Sequence, residues 1–158
     1  MNDFIWQYVD IPEKDIVKIQ NNALADINSR PFNSTLFQGV DIKTTHLLGL
    51  KICHVRLVQV NPKGMIPIHR DGPPGYPPML AINIPLVNCE NAVTEFWKSE
   101  INISHAFSLE NCTKIDEFIL TKPILLNVSV LHSVKNYTSD WRKAISIRFE
   151  ESPWHLCD

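Results

Sequence analysis

The sequence lacks the features that mark zinc-ribbon, membrane-spanning, secreted or nucleic-acid-binding proteins. Its four cysteines are scattered without a Cys-x-x-Cys pair, which argues against a zinc ribbon or thioredoxin-type site and favours reduced thiols in a cytoplasmic protein. The apolar runs are far shorter than the ~20 residues that a membrane span needs, and residues 1–15 lack the basic segment and apolar run of a secretory signal. Because the net charge is −2 and lysine and arginine form no cluster, a nucleic-acid partner is not expected.

The composition is that of one ordinary globular domain. Hydrophobic residues make up 44% of the 158 residues and charged residues 20%, which is enough apolar material for a buried core. No internal repeat, low-complexity tract or linker divides the chain. We therefore predict a single domain over residues 1–158, with a helical or irregular part at 1–50 and a strand-rich core at 51–150. The oligomeric state is not specified by these features.

The periodicity changes from helical to β-type along the chain. A helix is predicted over 11–28, where Ile16, Ile19 and Leu24 share one face and Pro12 lies near the start. Short strands are predicted at 51–60, 65–69, 80–87, 92–98, 117–120, 124–131 and 142–150, and the sequence GPPGYPP at 72–78 predicts a loop at the rim of a pocket. One helix followed by many short strands favours a sandwich or barrel with helices on one outer face.

The last predicted strand has two chemically distinct faces. One face carries Lys143, Ile145, Ile147 and Phe149, and the other carries Arg142, Ala144, Ser146 and Arg148. The apolar face is suited to packing against helices. The second face is suited to the interior of a barrel that binds an anion, since a buried charge without a partner is costly.

A His-x-Asp pair and a later histidine indicate a metal site. His69 and Asp71 are two positions apart, so on a strand their side chains point to the same side. His132 follows the apolar run ILLNVSVL, which places it at the end of another strand. Two histidines and one carboxylate can hold Fe(II) and leave coordination positions open. Arg142 begins the next strand ten residues later, and a hairpin of that length would return its guanidinium close to His132.

These residues carry a resemblance to a known family. The pattern His69-Arg70-Asp71, then His132, then Arg142 followed by Ala144 and Ser146, resembles the Fe(II)/2-oxoglutarate-dependent oxygenases from about residue 51 to residue 149. The segment HRDGPPGYPPMLAINIPLVNC and the later TEFW are most similar to the branch of aspartyl/asparaginyl β-hydroxylases and prolyl-hydroxylase-like proteins. They also resemble small oxygenase-like proteins of marine bacteria and phages.

The resemblance implies a fold, a cofactor and a reaction. The fold would be a double-stranded β-helix, or jelly roll, of mainly β structure with the helical segment packed on one sheet. Fe(II) would be held by His69, Asp71 and His132, and Arg142 would bind the distal carboxylate of the co-substrate 2-oxoglutarate. With O2, the enzyme would release succinate and CO2 and hydroxylate a C–H bond of an amino acid, a peptide side chain or a small metabolite.

Three further polar residues are candidates for contacts with 2-oxoglutarate. Asn83 lies 14 residues after His69, where the family often has a polar group. Ser146 shares a face with Arg142 and can donate a hydrogen bond to the same carboxylate, and Arg56 on the first long strand can face the same pocket. Arg148 is the rival of Arg142 as the anchor of the oxo acid.

Two other functions are compatible with the pattern. The chain could be a cupin-like metal protein of another class, which would not need a cation for a distal carboxylate. It could also be a jelly-roll binding module without catalytic activity, although such a module has no physical need for three ligands at these spacings.

Overall fold

A computed structural model describes residues 3–30, 37–72, 77–101, 105–106 and 111–157. These residues form one α-helix, α1 (Glu13–Asn28), and twelve strands. The strands are β1 (Trp6–Tyr8), β2 (Phe37–Gly39), β3 (His46–Leu47), β4 (Leu50–Val60), β5 (Met65–His69), β6 (Leu80–Val87), β7 (Ala92–Ser99), β8 (His105–Ala106), β9 (Cys112–Phe118), β10 (Ile124–Asn127), β11 (Leu131–Asn136) and β12 (Arg142–Phe149).

The strands form two antiparallel sheets. The first has the order β1-β10-β6-β12-β4-β2, with β3 paired to β4, and the second has the order β8-β5-β11-β7-β9. Residues from both sheets share one buried cluster, which includes Phe96 of β7 and Leu126 of β10, so the sheets pack face to face. The predicted jelly roll of mainly β structure is confirmed.

Helix α1 covers the outer face of the first sheet. Its buried residues Ile19 and Ala23 join Ile145 and Ile147 of β12 in the largest apolar cluster. The alternation in β12 therefore works as the sequence predicts: its apolar residues face the helix, and its polar ones face the space between the sheets. No helix in the described part of the chain has the length and apolar character of a membrane span.

The predicted strand at 124–131 is wrong, because the chain turns inside it. Asn127 ends β10: its carbonyl accepts from the Val130 N–H (3.2 Å) and its side-chain oxygen accepts from the Ser129 N–H (3.0 Å). After this turn the chain enters the other sheet as β11. His132 is therefore near the start of a strand in the second sheet. The predicted strand at 117–120 is also misplaced, since β9 spans Cys112–Phe118.

The predicted hairpin between His132 and Arg142 is wrong as well. β11 belongs to the second sheet and β12 to the first, so the five intervening residues cross between sheets. Asn136 stabilises the crossing, since its side-chain amide donates to the carbonyls of Asp140 (2.7 Å) and Asn61 (3.2 Å). Arg142 consequently faces the strand of His132 from across the sandwich.

Candidate metal centre and arginine-lined cavity

His69 and His132 lie side by side on neighbouring strands. They are direct partners in the register of β5 and β11, so both side chains emerge on one face, and their ring centroids are 4.4 Å apart. Asp71 lies two residues beyond His69, and its N–H donates to the carbonyl of Val128 (2.8 Å). The potential ligand atoms of the two histidines and Asp71 all lie within 4.8 Å of one another. Three side chains from two chain segments thus converge on one point.

Backbone carbonyls orient both imidazoles in the same way. Nδ1 of His69 is 2.8 Å from the carbonyl of Pro67, and Nδ1 of His132 is 2.7 Å from the carbonyl of Val130. A carbonyl only accepts, so each Nδ1 donates its proton and each neutral ring keeps the lone pair of Nε2 free. Metal-binding histidines characteristically donate their other ring nitrogen in this way. The local structure therefore presents two imidazoles in the tautomer that a metal requires.

The charge state of His132 also suits a metal ligand. Its burial, and next the proximity of His69, lower the pKa of His132 to about 4. The imidazole is therefore neutral at pH 7, as coordination demands. A neutral nitrogen is a good ligand only when its lone pair faces the ion. The carbonyl of Val130 orients the ring and burial keeps the ring neutral, so the two effects act together.

Asp71 divides its two oxygens between different neighbours. Oδ1 lies 3.6 Å from Nε2 of His69, whereas Oδ2 accepts a hydrogen bond from Nη2 of Arg148. The guanidinium holds one oxygen and leaves the other beside the histidines. Arg148, the sequence-predicted rival of Arg142, is thus placed at the carboxylate of the candidate metal centre.

Arg142 occupies a buried position in the same cavity. It is 3% exposed, and within the described part of the chain its guanidinium forms no ion pair and its Nε has no hydrogen-bond partner. Burial lowers the pKa of Arg142, yet arginine stays charged in proteins. Arg148 lies six positions further along the strand, about 20 Å away in an extended chain. A buried cation without a partner is costly, so its position indicates a site for an anion.

A polar row crosses the first sheet between these two arginines. Ser146 of β12 pairs with Arg56 of β4 on one side and with Asn83 of β6 on the other. All three line the cavity, together with Phe37 of β2. Because directly paired residues share a face, the register alone brings these side chains into one row.

Unsatisfied polar atoms are concentrated in this cavity. Among the described residues, four buried side-chain atoms have no hydrogen-bond partner, and three of them line it: Asn83 Oδ1, Arg142 Nε and Arg148 Nε. Buried polar groups in folded proteins are nearly always satisfied by protein, water or ligand. Three orphaned atoms around one space are expected where a polar ligand completes the network.

The structure places every predicted site residue on this cavity. Its lining includes His69, Asp71, Asn83, His132, Arg142, Ser146 and Arg56. The contact of Arg148 with Asp71 was missed, although its shared face with Arg142 was a usable signal. Phe37 was also missed, because nothing in the irregular region before residue 51 indicates a strand there. Of the predicted rim loop, residues 73–76 lie outside the described residues.

Comparison with known proteins gives matches in structure alone. No family model and no curated protein matches the sequence. The α-ketoglutarate-dependent non-haem carbocyclase SnoK from nogalamycin biosynthesis superposes with a TM-score of 0.57 at 9% identity, covering 91% of this chain and 78% of that one. HygX from Streptomyces hygroscopicus, solved with nickel and 2-oxoglutarate bound, gives 0.57 at 10% identity, covering 91% and 81%.

A prolyl hydroxylase from Trichoplax adhaerens extends this comparison. Solved in complex with a hypoxia inducible factor peptide fragment, it gives a TM-score of 0.54 at 13% identity, covering 94% of this chain and 84% of that one. The chain has the fold of the 2-oxoglutarate-dependent oxygenases. The fold that the sequence resemblance predicts is therefore confirmed. At these identities the superpositions establish the fold alone.

The residues of the cavity fit Fe(II) and 2-oxoglutarate chemically. Two imidazole nitrogens and one carboxylate oxygen form the donor set that Fe(II) oxygenases use, with room for further ligands. A planar guanidinium such as that of Arg142 matches the geometry of a carboxylate. The orphaned Nε–H of Arg142 is a further donor for a bound dianion, and the side-chain NH2 of Asn83 can donate to it as well.

Proposed function

We propose that this protein is an Fe(II)- and 2-oxoglutarate-dependent dioxygenase that hydroxylates a C–H bond and releases succinate and CO2. The C–H bond would belong to an amino acid, a peptide side chain or a small metabolite. The observation that carries the proposal is Arg142, a buried cation without a partner in the described residues, in the same cavity as a convergent His, Asp and His set. The proposal treats residues 1–158 as one oxygenase domain, as the sequence predicts.

The metal would be held by Nε2 of His69, Nε2 of His132 and a carboxylate oxygen of Asp71. When bound, Fe(II) together with 2-oxoglutarate supplies the activation of O2. The chain contributes orientation: the carbonyls of Pro67 and Val130 fix the imidazole tautomers. Arg148 restrains the carboxylate by holding its Oδ2. These contacts hold the three ligand side chains in position before the metal binds, so metal binding requires little rearrangement of them.

The co-substrate would be held by Arg142, Ser146 and Asn83. Arg56, which the sequence also suggests for this role, is half-buried beside Phe37. The guanidinium of Arg142 would bind the distal carboxylate in a dry environment, where a charge-assisted pair is strong. Ser146 and Asn83 lie between Arg142 and the metal-binding residues along the inner face. They can hydrogen-bond to the oxygens of the oxo acid, and the neighbouring apolar residues exclude water.

Arg142 favours this function over a cupin-like metal protein of another class. Such a protein needs the ligand set, but it has no use for a buried cation at the other end of the cavity. A binding module without activity needs neither feature. The cytoplasmic location and the absence of a nucleic-acid partner stay predictions.

Turnover of 2-oxoglutarate tests the proposal. In air, with Fe(II) and a reductant, the protein should form succinate from 2-oxoglutarate even without its primary substrate, slowly and in proportion to enzyme. Asp71→Ala is the matched control, since it removes one proposed ligand while the arginines remain. Succinate formation that is no faster with the wild-type protein than with Asp71→Ala would contradict the proposal.

A further inference from the structure

The cavity carries more positive charge than iron and 2-oxoglutarate can neutralise. Among the residues that the structure describes, its lining contains three guanidinium groups, those of Arg56, Arg142 and Arg148, and one carboxylate, that of Asp71. His69 and His132 would be neutral imidazoles when they coordinate a metal. A divalent iron and a dianionic co-substrate cancel each other, so a surplus of two positive charges remains in the loaded site. A further anion would offset part of this surplus.

Arg56 is the group that this second anion would meet. Its guanidinium makes no hydrogen bond or ion pair with the residues that the structure describes, in contrast to that of Arg148, which is held by Asp71. It is half-buried, whereas Arg142 is almost fully buried. Burial, and next the charge of Arg148, lower the pKa of Arg56, and Asp71 opposes them. The guanidinium of Arg56 is therefore close enough to the candidate metal centre for an electrostatic interaction, but it forms no ion pair with Asp71.

The surroundings of Arg56 are partly apolar and partly open. The guanidinium carbon lies 5.8 Å from the centroid of the Phe37 ring, and that residue is 41% exposed. Both residues line the cavity, as does Val58 on the same strand face as Arg56. This edge of the cavity thus offers a cation beside an apolar surface that solvent reaches. Such a pair matches a molecule with an anionic head and an apolar body.

We propose that the primary substrate is a small organic acid whose carboxylate binds Arg56 while its apolar body lies against Phe37, an inference that rests on the function proposed above. The planar guanidinium fork pairs with a carboxylate through two parallel hydrogen bonds. His69 and Asp71 line the same cavity, so the bound acid would share this space with the proposed metal centre. The anion would also offset one of the two surplus positive charges left after the co-substrate binds.

The experiment uses the protein loaded with Zn(II) and N-oxalylglycine, so that the proposed co-substrate position is already filled. Propionate, butyrate and benzoate are titrated against their uncharged amides, with methyl phosphate as a further anion, and binding is followed by the arginine Nε–H resonances in NMR spectra. The variants are Arg56→Gln, Arg56→Lys and, as a matched control, Lys51→Gln. Lys51 is an exposed cation on the same strand, and its ion pair with Glu150 lies at the surface.

We expect the carboxylates to bind at least ~10-fold more tightly than the amides, which is the size of a charge-assisted hydrogen-bond contribution. The preference should persist in Lys51→Gln, weaken in Arg56→Lys and vanish in Arg56→Gln. Equal binding of acids and amides, or an undiminished preference in Arg56→Gln, would overturn the inference and leave the proposed function standing. Tighter, Arg56-dependent binding of methyl phosphate would replace the organic acid by a phosphate ester. If N-oxalylglycine itself does not bind, the proposed function fails and the inference falls with it.

Discussion

Replacement of Asp71 by alanine is expected to lower the affinity for Fe(II) by at least ~100-fold. Asp71 provides the only carboxylate among the three convergent ligands, and even residues that merely support a ligand change metal affinity by about 10–100-fold. The measurement is an anaerobic Fe(II) titration, repeated with Zn(II) to exclude oxidation effects. Asp71→Asn should behave similarly, because an amide keeps the shape of the side chain but loses its charge.

The matched control for this prediction is Asp10→Ala. Asp10 is an exposed carboxylate outside the cavity, so its removal changes the net charge equally and should leave metal binding unchanged. Full-occupancy binding of iron by Asp71→Ala at the wild-type affinity would show that the ligand assignment is wrong. The same result for Asp71→Asn alone would show that the carboxylate charge is dispensable.

Replacement of Arg142 by methionine is expected to have two opposite effects. The affinity for 2-oxoglutarate should fall by about 100-fold, because a buried charge pair loses one partner. The free energy of unfolding of the ligand-free protein should rise by about 1–3 kcal/mol, because a buried guanidinium without a partner in the described residues is replaced by an apolar side chain of similar length. Urea unfolding without ligand and an anaerobic 2-oxoglutarate titration at saturating metal measure the two effects.

Arg148→Met is the matched control, because Arg148 lies on the same strand face. It should disturb the metal centre, since its guanidinium holds Asp71, and it should leave the anchoring of the distal carboxylate largely intact. Loss of 2-oxoglutarate binding in Arg148→Met with retention in Arg142→Met would show that the roles of the two arginines are exchanged. A ligand-free Arg142→Met protein less stable than wild type would contradict the inference that the buried guanidinium of Arg142 destabilises the ligand-free protein.

The local sequence pattern predicts many of the residues that line this cavity, because successive residues of a strand point to opposite faces. The period of two in β12 separates Arg142, Ser146 and Arg148 from the isoleucines that pack on α1, and no tertiary information is needed for that. The spacing of His69 and Asp71 likewise predicts that their side chains lie on the same side, and β5 ends at His69 as predicted. Where the two faces of a strand differ strongly in polarity, sequence determines which side chains meet.

Connections between sheets cannot be predicted in the same way. Asn127 lies within a mainly apolar run, and its turn depends on hydrogen bonds with Ser129 and Val130. A single asparagine in the sequence does not predict these bonds. For the same reason, the separation of β11 and β12 into different sheets was not visible in the chain. The contact between Arg148 and Asp71 joins residues 77 positions apart, so it follows from the packing of the two sheets rather than from a local pattern.

Absorption spectroscopy under anaerobic conditions tests the central claim most directly, because it observes iron and the oxo acid together in one site. Fe(II) plus 2-oxoglutarate should give a weak visible charge-transfer band in the wild-type protein, which neither component gives alone and which N-oxalylglycine removes. The band should be absent in Asp71→Ala and should need far more 2-oxoglutarate in Arg142→Met. The absence of a band in the wild-type protein, or an equal band in Asp71→Ala, would contradict the proposed oxygenase site.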